Sequence, residues 1–199
     1  MLEEYQRGRQ DEAVLKLASF PKSGIEDILL SRGLDPNNIG DAKAILALVG
    51  APFTPTDAVA YSFTQQGAPP TFGRGRFGDG SLPVFYSALE KETCEEELRH
   101  RLRDAKTAVP LDRYFQFIAC DFSGVVLDLY GHEGEHPELV SKTEDGYPFC
   151  RALAVTARSE AIDALHTPSA RKAGGICTPV FSRPTLSNPR FVDAPRVTI

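Results

Sequence analysis

Residues 64–83, TQQGAPPTFGRGRFGDGSLP, hold five glycines and three prolines. No regular helix or strand runs through such a stretch. Proline removes a backbone donor, and glycine loses the most conformational freedom on ordering. A loop this long inside a compact domain is often functional. It also separates two textures of sequence. Ahead of it, apolar residues recur mostly at helical spacing. Beyond it, short β-branched and aromatic runs alternate irregularly with helices. That order is not the regular strand–helix alternation of a doubly wound sheet, and it points to a mixed α+β fold.

Before the loop, DEAVLKLASF places Val14, Leu15, Leu17 and Ala18 at helical spacing. SGIEDILLSRG opens on the cap-like Ser23 and stops at Gly33, and NIGDAKAILALVG reads as a third helix ending at Gly50. Residues 1–55 are therefore expected to form a helical N-terminal extension, and 56–199 a second, catalytic domain, with APFTPTDA as the connector. DAVAYSF and VFYSA read as short strands, and KETCEEELRHRLRD as a helix. RYFQFIACDF and GVVLDL are strand-like, and GHEGEHPELVSKTEDG is a polar loop. YPFCRALAVTARSEA is expected to be a helix with Cys150, Leu153, Ala154 and Ala157 on one side; IDALHTP and GGICTPVF close the pattern as two strands joined by SARKAG.

The length of 199 residues suits one domain with a small extension. The net charge of −5 argues against a nucleic-acid-binding protein but leaves room for a local basic groove. The N-terminus has mixed charge and no apolar run, and no stretch reaches the ~18 apolar residues of a membrane span. A cytoplasmic protein without membrane or direct nucleic-acid contact is the expectation; an effector secreted without a cleaved signal has the same appearance. Cys94, Cys120, Cys150 and Cys177 form no CxxC pair, which suits buried thiols in a reducing compartment.

Three glutamates, Glu95, Glu96 and Glu97, stand together on the expected helix. Consecutive positions span about 200° of a helix, so the three cannot face one way. Glu95–Arg99 and Glu97–Arg101 have the spacing of surface ion pairs. Glu97 also adjoins Leu98 at the margin of the apolar stripe marked by Cys94, Leu98 and Leu102, where a carboxylate can look into a cleft. Spacing alone leaves both readings open. In FGRGRFGDG, Arg74 and Arg76 are either phosphate ligands or loop arginines. In HTPSARKAGG, Ser169 and Arg171 either line a ligand site or cap a turn. His132 and His136 of GHEGEH lie in a Gly- and Pro-flanked loop, so no metal is expected.

Together these pieces resemble the RES domain family, named for its arginine, glutamate and serine. The family pattern is an arginine-containing first strand, a GGRW-like loop and an apolar PxxYxA strand. A helix follows, with a glutamate eleven residues after that tyrosine, and late in the chain a PSAR…GG segment. Here GRGRF gives Arg76, PVFYSA gives Tyr86, Glu97 falls eleven residues after Tyr86, and TPSARKAGGICTPVF gives Ser169 and Arg171. The likeness covers roughly residues 58–182. AYSF supplies Tyr61 and places Ser62 where the family's first-strand arginine stands, with Arg74 as a substitute; Phe77 replaces a common tryptophan.

The resemblance implies a fold similar to ADP-ribosyltransferases, with a mixed β core and flanking helices. It implies an enzyme whose substrate is NAD+ and which needs no metal. Such proteins resemble toxins held in check by a cognate antitoxin or immunity protein. Some break down NAD+ with water as acceptor; others transfer ADP-ribose to a protein target. By this likeness Glu97, Arg76 and Ser169 are the catalytic candidates, and Tyr86, Arg74, Tyr61 and Arg171 the NAD-binding ones. The departure at Ser62 admits a further alternative, an inactive module that binds a nucleotide or a partner.

Overall fold

The structure is a computed structural model of the 199-residue chain, describing residues 2–21, 35–38, 54–64, 72, 74–104 and 113–192. Six strands and three helices are found among these residues. The strands are β1 (Arg7–Pro21), β2 (Phe85–Ala88), β3 (Arg113–Asp128), β4 (Ala164–Pro168), β5 (Ile176–Val180) and β6 (Leu186–Phe191). The helices are α1 (Pro55–Ser62), α2 (Lys91–Asp104) and α3 (Tyr147–Ser159).

Hydrogen bonding runs in the order β1-β2-β5-β4-β3-β6, and β1 also pairs with β3. The second pairing closes five strands into a ring and leaves no free edge among them. β1 and β3 are antiparallel along the full length of β1, from Arg7 opposite Leu127 to Pro21 opposite Arg113. On its other edge β3 carries β6, with Ile118 opposite Phe191, and then β4, in parallel, with Val126 opposite Ala164. The two reads RYFQFIACDF and GVVLDL are thus one continuous strand.

β3 is buried on both faces, which explains its near-continuous apolar sequence. Ile118, Cys120, Phe122 and Val126 join Val14, Phe85 and Val180 in one cluster. Leu127 and Leu129 join Leu165 and the α3 stripe Cys150, Leu153, Ala154 and Ala157 in another. The α3 stripe and the α2, β2, β4 and β5 segments form where the sequence places them, and the fold is α+β as expected.

Two expectations are corrected. Residues 7–21 form a strand, not a helix, so the helical N-terminal extension fails there. Its second half is apolar on both faces: Val14 and Ala18 enter one cluster, while Leu15 and Leu17 pack on Ala88, Cys94 and Phe117. Two-sided burial produces neighbouring apolar pairs that mimic helical spacing. The other expected N-terminal helices, over 23–33 and 38–50, lie almost wholly outside the described residues. The second correction is DAVAYSF, which is the body of α1 rather than a strand. Thr54 accepts a hydrogen bond from the Asp57 backbone N–H while the Asp57 carboxylate takes the Thr54 backbone N–H, and Pro55 opens the first turn. This capping box lay in the segment read as a connector.

Candidate active site

α2 separates the three glutamates by direction. Its first turn is fixed to β5 by Glu90, which accepts from the Thr93 hydroxyl at 2.7 Å and from the Ile176 backbone N–H at 3.1 Å. Cys94, Glu97, Leu98 and Arg101 then recur at helical spacing on one face, and all four line a cleft of about 910 Å³. Glu95 and Glu96 turn to Arg99, at 3.2 Å and 2.5 Å. Glu97 makes no ion pair with Arg101. Its Oε1 accepts the Ser169 hydroxyl at 2.6 Å, and its Oε2 has no protein partner among the described residues.

The SARKAGG turn after β4 holds Ser169 in place. Its Oγ donates to Glu97 and accepts the backbone N–H groups of Arg171 and Lys172, each at 3.1 Å. A hydroxyl has one proton and two lone pairs, and all three are used. Gly174, at φ +75°, supplies the left-handed residue that returns the chain to β5. There the Cys177 thiol lies 3.6 Å from Glu97 Oε1. Burial first, and the nearby Glu97 charge second, push this thiol well above its ordinary pKa, so it stays protonated.

Farther along the same sheet, Tyr86 stands two positions from Ala88, which pairs with Cys177. Two strand positions correspond to about 7 Å. The Tyr86 hydroxyl accepts the Phe77 backbone N–H at 3.2 Å, and burial pushes its pKa up to about 12, so it remains neutral. Its ring occupies the space a side chain on Gly75 would need, 2.7 Å from Tyr86 Cζ to the position of a Cβ. Lys16 reaches the cleft from β1 and donates Nζ to the Tyr86 carbonyl at 3.2 Å. Burial, and then the Arg101 charge, lower its pKa to about 8. Arg101 and Arg151 also act electrostatically on the Tyr86 hydroxyl. Arg151 donates to the Gly75 carbonyl beside the Tyr86 ring at 3.1 Å, and Arg101 lines the same cleft as Lys16 and Arg151.

In all, six basic side chains line the cleft (Lys16, Arg74, Arg76, Arg101, Arg151 and Arg171) against three carboxylates, Asp79, Glu97 and Glu144. On a chain of net charge −5, this is a local basic groove, and it favours an anionic ligand. Among the described residues none of the six is in an ion pair. Arg76 instead braces the cleft wall, donating to the carbonyls of Glu138 and Ser141 at 3.0 Å and 2.6 Å. Arg171 donates similarly to the Lys142 carbonyl at 3.1 Å.

The structure thus brings Glu97, Tyr86, Arg74, Arg76 and Arg171 to one cleft, with Ser169 buried behind Glu97 and hydrogen-bonded to it. Tyr61 sits on α1 and is not among the described residues that line the cleft. Ser62 ends the same helix, with its hydroxyl donating to the Ala58 carbonyl, so it is not on the first strand. The cation that the first strand does deliver is Lys16. Sequence reasoning missed it because a lone lysine in VLKLA reads as the polar side of a helix; read as a strand, the segment places the same lysine on the wall. Arg151, beside the apolar α3 stripe, and Arg101, read only as a surface partner of Glu97, were missed as well.

His132 pairs with Glu135, and His136 takes part in a hydrogen bond with the Tyr5 hydroxyl and stacks on Phe149. Among the described residues no group of three or more His, Cys, Asp or Glu side chains is placed to hold a metal.

A family model, the RES domain, matches residues 49–199. The match includes α1 through β6 and excludes β1, which the sheet nevertheless incorporates along its whole length. No curated protein matches the chain. Among solved structures, the M. tuberculosis MbcT–MbcA toxin–antitoxin complex contains a similar chain, at 17% identity over 94% of this chain and 86% of that chain, with a TM-score of 0.49.

Proposed function

Since the chain belongs to the RES domain family, we propose that it cleaves the nicotinamide–ribose bond of NAD+ with water as acceptor. The observation that carries this reading is the Glu97 carboxylate, anchored at 2.6 Å by Ser169 on one oxygen and bare on the other, in a cleft walled by basic side chains. As the bond to nicotinamide lengthens, positive charge moves from the ring nitrogen to the ribose C1′, as in glycoside cleavage. An ionised carboxylate fixed beside that carbon stabilises the charge as it develops. Nicotinamide leaves neutral, so no general acid is needed. Water adds to C1′, and Glu97 Oε2 takes its proton. The products are nicotinamide, ADP-ribose and a proton.

Lys16, Arg101 and Arg151, which line the cleft with Glu97, hold the pyrophosphate. Arg171 and Arg76 act mainly as braces. Tyr86 forms the floor between the two subsites, and Ser169 orients Glu97. On the same family premise, the biological role is that of a bacterial toxin whose cleft a cognate antitoxin or immunity protein blocks. ADP-ribosyl transfer uses the same cleavage with a protein nucleophile in place of water.

The test is nicotinamide release from NAD+ by wild type and Glu97→Gln, with and without cell extract. Release without extract, reduced by about 10²-fold or more in the variant, is expected. Release only with extract, with label on a protein, points to the transferase. Wild-type rates in Glu97→Gln would remove the carboxylate from the mechanism.

A further inference from the structure

The cleft holds more positive charge than the pyrophosphate of NAD+ requires. Its features follow an order set by the sheet. Glu97 lies at Cys177, opposite Ala88. Two positions away, Lys16 donates to the Tyr86 carbonyl and Arg151 to the Gly75 carbonyl against the Tyr86 ring, and Arg101 lines the cleft with them, making a basic trio. The tip of Tyr86 touches the 75–78 turn, where Gly75 and Gly78 pair and Phe77 donates to the hydroxyl. Arg74 directly precedes that turn, lies against Gly80 and lines the same cleft. A dinucleotide with its nicotinamide ribose at Glu97 and its pyrophosphate at the Tyr86 trio extends its adenosine toward Arg74.

Arg74 is exposed and has no hydrogen-bond or ion-pair partner among the described residues. Arg76 and Arg151, its neighbours in the cleft, already donate to the carbonyls of Glu138, Ser141 and Gly75. The nearby carboxylate of Asp79 is turned back to accept from the backbone and hydroxyl of Ser81, at 2.8 Å and 2.6 Å. A guanidinium left open at the adenosine end is suited to a phosphate monoester, which it binds through paired N–H donors.

We infer that the cleft prefers a nicotinamide dinucleotide carrying a third phosphate, on the adenosine 2′-oxygen, with Arg74 as the residue that receives it. This rests on the reading of the cleft as a nicotinamide dinucleotide site. NADP+ is then the better substrate, by about tenfold in kcat/KM over NAD+, the size expected of one added charge-assisted hydrogen-bonded pair.

Two measurements separate this inference from the proposed function. The first is calorimetric titration of the full chain with adenosine 2′,5′-bisphosphate, its 3′,5′ isomer and AMP. The second is nicotinamide release from NADP+ and NAD+. Wild type is expected to bind the 2′,5′ isomer about tenfold more tightly than either other ligand. Arg74→Ala is expected to erase that margin and the NADP+/NAD+ ratio, and Arg74→Lys to keep part of both. Equal binding of the two isomers, or a ratio of one or less in wild type, overturns the preference. A ratio unchanged in Arg74→Ala overturns the assignment to Arg74. Tight 2′,5′ binding without cleavage of either dinucleotide would leave this inference standing and overturn the proposed function instead.

Discussion

The Ser169 hydroxyl gives its only proton to Glu97 Oε1, 2.6 Å away and 72 residues distant in sequence. Because the same oxygen accepts two backbone N–H groups, it cannot rotate away without leaving donors unpaired. Ser169 is therefore a positioning residue for the carboxylate. Ser169→Ala is expected to lower kcat by about tenfold with KM little changed, in line with the loss of one hydrogen bond to a charged group. In a double-mutant cycle, adding Ser169→Ala to Glu97→Gln is expected to cost almost nothing further. Additive losses would show that Ser169 acts on the substrate independently.

Lys16 links stability to ligand binding. Its folded-state pKa is about 8, against an ordinary 10.5. Between those values the unfolded chain holds more protons than the folded one, so stability rises with pH across that window. Below about 8 the ammonium is charged in both states and the full cost of burying it is present. The groups facing it are Arg101 and Cys94 on α2 and Cys120 on β3. Burial holds the two thiols at about 12 and 11, so neither supplies a counter-charge near neutral pH. Lys16→Met is expected to raise Tm at pH 7 and to abolish the stabilisation produced by ADP-ribose. In wild type, that stabilisation should shrink as pH rises through about 8. Thermal melts with and without ADP-ribose, across that pH range, make the comparison. A variant that melts lower, or keeps the ligand shift, would contradict this role.

Gly75 has no room for a methyl group against the Tyr86 ring, 2.7 Å from the Cβ position to Cζ. Gly75→Ala must displace either the turn or the tyrosine, and overpacking of this kind costs about 1–3 kcal/mol. Denaturant unfolding should show that loss, with weaker ADP-ribose binding because the pyrophosphate subsite is built around Tyr86. Unchanged stability would mean that the turn yields freely.

Ser62→Arg tests where the first-strand cation really is. Ser62 ends α1 and does not line the cleft, so an arginine there is expected to leave nicotinamide release within about twofold of wild type, as surface changes usually do. A large gain in turnover would show that this helix end reaches the substrate.

Much of the site was legible because its parts lie in short, strongly marked segments. The PVFYSA strand, the α2 helix and the PSARKAGG turn form as their local patterns require. The choice among Glu95, Glu96 and Glu97 was not legible from α2 alone, since all three sit in a good helix with arginines at pairing distance. Of the three, only Glu97 meets Ser169, which arrives on the turn after β4. DAVAYSF was read as a strand because the α1 capping box lay in the segment taken as a connector, and Lys16 was overlooked because β1 was read as a helix.

The sequence by itself determined the mixed α+β class, the Gly- and Pro-rich loop, the four unpaired thiols and the small set of carboxylate, serine, tyrosine and arginine candidates. These follow from propensity and spacing, which act over a few residues. Only the tertiary structure decided that residues 7–21 complete the ring of strands, that a lysine from that strand enters the cleft, and that a net-negative chain places six basic side chains there against three carboxylates. Those outcomes depend on pairings between segments about a hundred residues apart, such as Val14 opposite Cys120. The apolar half of β1, packed on both faces, carries no strand periodicity that would announce its partner.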